Sequence, residues 1–347
     1  MTRTLVGFVA VALQAVALTT AAAQQQQQQP ARLSQFLRQA IRLDASQMAA
    51  VDAGTPVVKT LETSNPRDVA VFGIIATNAP REQMVRRIKD FRTSLASPTR
   101  VRFGIFSTPA VPADVQSLVI DAKDAEDAKK CKPGDCSFKL AGTEMARIQR
   151  EVDWNAKDMQ AQLSAYAQRR LIEYVTAYRT RGDSAVASYD DHGNVSASAA
   201  FASLLSESPY VYQYAPMLAG YLRNYPHEKL DGITEAIFWS EDALPRLRRT
   251  LNVNHIVVHD PPGSRMTVVA TKQIYAKHYF EAAFDLMSVI ERENGAGSYV
   301  IVLRRYRFDN LPSGGLLNIK GRVLNSLKEK MTVDLSREKT QAERAAD

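Results

Sequence analysis

His255 and His259 lie four residues apart in a run, Leu251 to His259, that alternates like a β-strand. Both imidazoles therefore share the face that carries Leu251, Val253 and Val257. In the next run the same alternation puts Lys272 and His278 among Met266, Val268, Ala270, Ile274, Ala276 and Phe280. An amine and imidazoles on an apolar face need partners, because an unpaired buried polar group costs on the order of 1–3 kcal/mol. Three outcomes are open. The groups form a polar spot that orients a ligand inside a cavity, or they are core groups satisfied by acids such as Asp285 or Glu281, or their strands run past the sheet edge into solvent. The candidate ligand-binding residues are Lys272, His255, His278 and His259. Zinc on the three histidines with Asp260 is conceivable, but a regular strand turns Asp260 to the other side, and no helical His-Glu-x-x-His is present. A Gly-x-Ser-x-Gly elbow is also missing. Ser313-Gly314-Gly315 reads as the turn into the last helix rather than a phosphate cradle. The sequence calls for no cofactor, no metal and no catalytic residue.

The N-terminus bears on what these groups meet. Arg3 precedes an apolar stretch, Leu5 to Leu18, broken only by Gln14, and Ala21-Ala22-Ala23 follows. That is the pattern of a signal peptide, with cleavage expected after Ala23 and a Gln-rich spacer at 24–32. The destination is the periplasm or the exterior. In an oxidising compartment Cys131 and Cys136, flanking the Pro133-Gly134 turn, read as a small structural disulfide. Redox pairs usually have two residues between the cysteines, not four. Arg246, Arg248 and Arg249, and Arg304, Arg305 and Arg307, are basic clusters. An exported protein seldom meets nucleic acid, so none is expected. The clusters suit either a solvated face or contact with an anionic membrane surface, at about 1 kcal/mol per basic residue. The whole chain has 44 Lys+Arg against 37 Asp+Glu, and 45% hydrophobic with 23% charged residues, which fits a globular fold and excludes a multi-span membrane protein.

Several elements must position these residues. Asp44 and Gln47 spell a capping box. Val57 to Leu61 and Asp68 to Thr77 read as strands, Pro80 opens a short helix, and Val101 to Phe106 is a further strand. A long helix from Asn155 to Gly182 has the apolar face Leu163, Ala167, Leu171, Tyr174, Val175, Tyr178. Short helices follow near Ser198 to Ser206 and Pro216 to Asn224, in a stretch that holds Tyr210, Tyr212, Tyr214, Tyr221 and Tyr225. Beyond Gly232 come strand candidates at Ala236 to Trp239, Leu251 to His259, Met266 to Phe280, Ala283 to Glu291 and Tyr299 to Phe308, separated by Gly- and Pro-bearing turns that make neighbours antiparallel. A final helix from about Gly315 to Glu343 has the stripe Leu317, Leu324, Leu327, Met331, Leu335, flanked by Leu316 and Val323.

The opening VAVFGIIATNAPREQMVRRIKDF (Val69 to Phe91) and the closing Leu251 to Glu343 resemble the two ends of the START-like, or SRPBCC, superfamily. The resemblance implies an α+β fold in which a curved antiparallel sheet grips a long C-terminal helix around a hydrophobic cavity. Here it would be a single domain, 33–347, with a helical insertion at about 141–230. It also implies binding of a lipid or other hydrophobic small molecule. The rival expectations are a packed-core protein that binds partners without a ligand, and an enzyme acting on an apolar substrate through Lys272 and a histidine.

Overall fold

The computed structural model describes residues 33–208, 211, 214–243, 248–293, 295–311 and 318–344. The signal-peptide and spacer expectations, Tyr210, Tyr212, Arg246, Ser313 to Gly315, Leu316 and Leu317 lie outside the described residues. The strands are β1 (Val57–Leu61), β2 (Asp68–Thr77), β3 (Arg100–Ile105), the two-residue pair β4 (Ser188–Tyr189) and β5 (Val195–Ser196), β6 (Ile233–Asp242), β7 (Thr250–His259), β8 (Met266–Ala276), β9 (Phe280–Glu291) and β10 (Ser298–Phe308). The helices needed below are α1 (Ala45–Asp52), α2 (Arg81–Lys89), α3 (Gly142–Glu151), α4 (Met159–Arg181), α5 (Ala197–Ser206), α6 (Pro216–Asn224) and α7 (Ile319–Arg344).

Eight strands form one curved antiparallel sheet in the order β1-β2-β10-β9-β8-β7-β6-β3. The five strands from β6 onward are joined by hairpins and lie side by side in chain order. The early β2 then closes against the last strand, with Ile301 opposite Ile74. Every residue of β2 is buried, which accounts for its nearly unbroken apolar run. β3 extends the other edge by pairing with β6.

One face grips α7. Val71 and Ile75 of β2 meet Met331, Leu335 and Ala342 there, together with Val258, Val269, Val289 and Val300. Gly73 sits beneath the crossing, where an added Cβ would come within 2.5 Å of the Met331 sulfur and 2.8 Å of a Leu335 methyl. The absence of a side chain at Gly73 is what lets the helix seat this deeply. The grip is uneven along the helix. Met331, Leu335 and Ala342 are buried, whereas Leu324 and Leu327 are half-buried. The apolar stripe read from sequence is present from Leu324 to Leu335, with Leu324 and Leu327 only partly buried against Val69, Phe280 and Phe308.

The opposite face is covered by the chain that runs between β3 and β6. Leu171, Val175 and Tyr178 of α4 pack on Ile237, Trp239, Val253 and Ile274. α5 and α6 cover Val257, Val268, Ala270, Ala282 and Phe284. α1, its capping box closed by the Asp44 carboxylate accepting from the Gln47 amide at 2.8 Å, covers Phe72 and Ile74 together with residues 33–43. α4 ends at Gly182, whose φ of +55° and closeness to the Tyr225 carbonyl leave no room for a side chain.

Cys131 and Cys136 are bonded across a tight turn, with Cα atoms 4.4 Å apart, against Ala125, Ala128, Phe138 and Met145. Closing a loop of about six residues is worth roughly 2 kcal/mol in the chain-entropy model. The double Cys→Ser variant is therefore expected to fold with a stability loss of about that size, measured by urea denaturation. Failure to fold would mean the bond holds far more than its own turn.

Candidate functional site

Between α7 and the sheet lies a cleft of about 1800 Å³. Its apolar lining comes from Phe238, Ile256, Val269, Met287, Val300 and Val302 of the sheet and from Val323, Leu327, Met331 and Leu335 of the helix. Leu95 to Thr99, following α2, form part of its rim.

A row of polar residues crosses this apolar floor. In register across three strands stand Thr271, Asp285 and Arg304, with the apolar Ile256 next to Thr271 on the fourth. Asn252, Asn254, Gln273, Tyr306 and Asp242 line the cleft beside them. Arg304 donates to Asp334 of α7 at 3.0 Å and lies 3.7 Å from Asp285. Lys330 and Arg337 contact the same Asp334, each at 3.2 Å. Asp242 accepts from Ser240 at 2.7 Å, from Asn252 at 3.0 Å and from Arg100 at 3.3 Å. Asp285 lies deep in the molecule, yet 39% of its side-chain surface is open to the cleft. Burial raises its carboxyl above the usual carboxylate range, against the pull of Arg304. Tyr306, hydrogen-bonded to Asp285, is held far above the ordinary phenol value by burial and by that carboxylate. The site can thus shelter an apolar body while offering hydrogen-bonding groups at mid-floor.

None of the four candidate ligand-binding residues, Lys272, His255, His278 and His259, lines this cleft. Lys272, His255 and His259 do lie on the more apolar side of their strands, but that side faces the helical layer, not α7. Lys272 and His255 are cross-strand partners and come together there. The Lys272 ammonium is bound to Asp183, not Asp285 or Glu281, and donates to the Leu222 carbonyl at 3.2 Å. It also sits 4.4 Å from the Phe201 ring centre. Burial lowers its pKa. His255 meets the Glu235 carboxylate at 3.0 Å through Nε2 and the Tyr178 hydroxyl at 3.0 Å through Nδ1. With Nε2–H donating to Glu235, Nδ1 accepts from Tyr178, a neutral imidazole that agrees with the downward push of burial. Tyr221 donates to the same Glu235 oxygen at 2.5 Å. His259 is half-buried at the end of β7.

His278 is elsewhere again, in the turn between β8 and β9, where it donates to the Ser137 carbonyl at 2.7 Å beside Phe138. It neighbours an ion-paired group in which Asp124 holds both Lys277 and Arg248. Burial, reinforced by Lys277, pushes its imidazole down to about 4. In an unfolded chain the ring titrates near 6.5, so between those values the unfolded state binds a proton that the folded state refuses. Its contribution to stability is complete above about pH 6.5 and is lost as pH falls toward 4. His278→Asn keeps a donor for Ser137 and removes the titration. Urea midpoints followed over that window are expected to fall less steeply for the variant, and identical slopes would contradict the assignment.

Most of the described arginines of the basic clusters are tied to acids, and Arg249 is exposed. Arg307 forms two hydrogen bonds to Asp68, at 2.7 and 2.8 Å, and Arg305 lies buried 3.7 Å from Glu207. Arg248 is paired with Asp127 at 2.7 Å, and Arg249 lies 3.9 Å from Glu241. Arg304 faces the cleft. These pairings with acids within the protein lend no support to contact with an anionic membrane surface. Among the described residues no helix is long and apolar enough to cross a membrane.

The sequence does not place Asp285, Arg304, Tyr306, Thr271, Asn254 and Gln273 in a cleft, because a polar residue on a strand reads as solvent-facing. The signal was in β10, where Val300, Val302, Arg304, Tyr306 and Phe308 share a face too mixed for open water and too polar for a dry core.

No family model and no curated protein matches the chain. Among solved structures it is similar to the di-domain ARO/CYC BexL from the BE-7585A biosynthetic pathway, at 10% identity over 82% of this chain and 75% of that one, with a TM-score of 0.21. A likeness at that TM-score carries no argument about the site. The chain is an α+β protein of helix-grip architecture, and that description rests on its own sheet order and terminal helix.

Proposed function

We propose that this is an exported protein that binds an apolar small molecule in the cleft between α7 and the sheet. The supporting observation is the cleft itself. At about 1800 Å³ it exceeds the range of about 300–1000 Å³ that suits most small ligands. Apolar side chains from five strands and the terminal helix line it. A protein whose core served packing alone would close this space, since each buried methylene contributes about 0.8 kcal/mol. Export is supported by the N-terminal pattern Arg3, Leu5 to Leu18, Ala21 to Ala23 and by the Cys131–Cys136 bond.

An enzyme working through Lys272 requires its amine beside open space, and the enclosure of Lys272 by Asp183, Phe201 and Leu222 disfavours that reading. Native mass spectrometry of protein isolated from its own host is the test. The expected result is a chain beginning at Gln24 that carries a non-covalent adduct extractable into organic solvent. A bare chain that also fails to take up a neutral fluorescent probe such as N-phenyl-1-naphthylamine would remove the binding reading.

A further inference from the structure

The polar row that crosses the cleft defines the head group. Resting on the binding reading above, we infer that the cleft selects an apolar molecule with an uncharged hydroxyl head over one with a carboxylate head. The cations around the floor already lie beside acids, with the Arg304 Nε 3.7 Å from Asp285 and without a hydrogen-bond partner among the described residues. Arg304, Lys330 and Arg337 converge on Asp334, and Arg100 is held by Asp242 while lying 5.2 Å from the Phe238 ring centre. A carboxylate arriving at mid-floor would displace one of these pairs or remain unpaired in a poorly solvated place.

Asp285 points the same way. It stands in the middle of the row between Thr271 and Arg304, and its Oδ1 meets no hydrogen-bond partner among the described residues. That oxygen is buried, and the accessible 39% of the side chain presents the rest of the carboxylate to the cleft. A hydroxyl can donate to that carboxylate. A second carboxylate there would form a like-charged pair that has to share a proton. Thr271, Asn254 and Gln273, which line the same space, add hydroxyl and amide groups and no charge. Arg322 and Arg344 lie at the mouth of the cleft, exposed to water, where their attraction for an anion is screened.

The test pairs two ligands of one chain length, 1-dodecanol and dodecanoate, displacing N-phenyl-1-naphthylamine from the full chain at pH 8. The expected result is half-displacement by the alcohol at a concentration at least about tenfold lower than by the acid, a difference of about 1.4 kcal/mol. Asp285→Asn keeps the shape and removes the charge, and is expected to bring the two ligands to within about threefold, a gap of about 0.65 kcal/mol. Equal displacement by both ligands in the wild type, or better displacement by dodecanoate, overturns the inference while leaving the binding reading in place. Failure of the probe to bind at all removes both. Should Asp285→Asn not fold, the wild-type comparison decides alone.

Discussion

Leu335→Asp is expected to destabilise the protein by more than about 4 kcal/mol, while Arg322→Asp on the same helix changes stability by no more than about 0.5 kcal/mol. Leu335 is 2% exposed and lies against Met331 and the bare backbone of Gly73, so a carboxylate there has neither water nor a partner. Arg322 is exposed where the helix borders the cleft mouth. Leu324→Asp is expected to fall between the two, because Leu324 is only half-buried. Urea denaturation followed by circular dichroism reads all three, and equal tolerance at positions 322 and 335 would mean that the helix is not gripped as described.

The second large effect is an asymmetry within one ion pair. Asp183→Ala leaves the Lys272 ammonium, 1% exposed, with only the Leu222 carbonyl and aromatic faces around it. Removing one partner of a buried pair costs about 3–5 kcal/mol. Lys272→Met leaves Asp183, 29% exposed, in reach of water and fills the space with a side chain of similar length. That variant is expected to lie within about 1 kcal/mol of wild type or to be more stable. A loss from Lys272→Met as large as that from Asp183→Ala would contradict the structural role. A weakened hold on an apolar probe in Lys272→Met would return Lys272 to the binding role that its sequence position suggested.

These two pairs of variants also mark what the sequence disclosed. The grip of α7 was legible because its stripe recurs at helical spacing, and the strands beyond Gly232 because they alternate or run apolar between turn residues. Leu251 to His259 differs from the observed β7 by one residue at its start. The turn between β8 and β9 was not legible. Lys277-His278-Tyr279 contains neither Gly nor Pro, and Tyr279 adopts a φ of +66° that nothing local announces. A single strand was therefore expected from Met266 to Phe280, which carried the alternation of β8 through His278.

The site was harder to read for a different physical reason. Alternation identifies two faces but does not say what covers each. The drier face of β7 and β8 is the one packed against α4, α5 and α6, where apolar residues dominate. The face that lines the cleft carries Asn252, Asn254, Thr271 and Gln273. Lys272 and His255 were correctly picked out as polar groups needing partners, but Asp183 and Tyr178 lie 89 and 77 residues away in sequence, beyond the reach of any local pattern.

Methionine methyl resonances test the central claim most directly, because the nine methionines sample different parts of the fold. Met287 and Met331 line the cleft, whereas Met48 lies under β1 and Met145 beside the disulfide. On titration of methyl-labelled protein with 1-dodecanol, the Met287 and Met331 signals are expected to shift together and saturably, with Met48 and Met145 unmoved. Saturable shifts at Met48 or Met145 alone, or no shift at Met287 and Met331 up to the solubility limit of the alcohol, would contradict binding in the cleft.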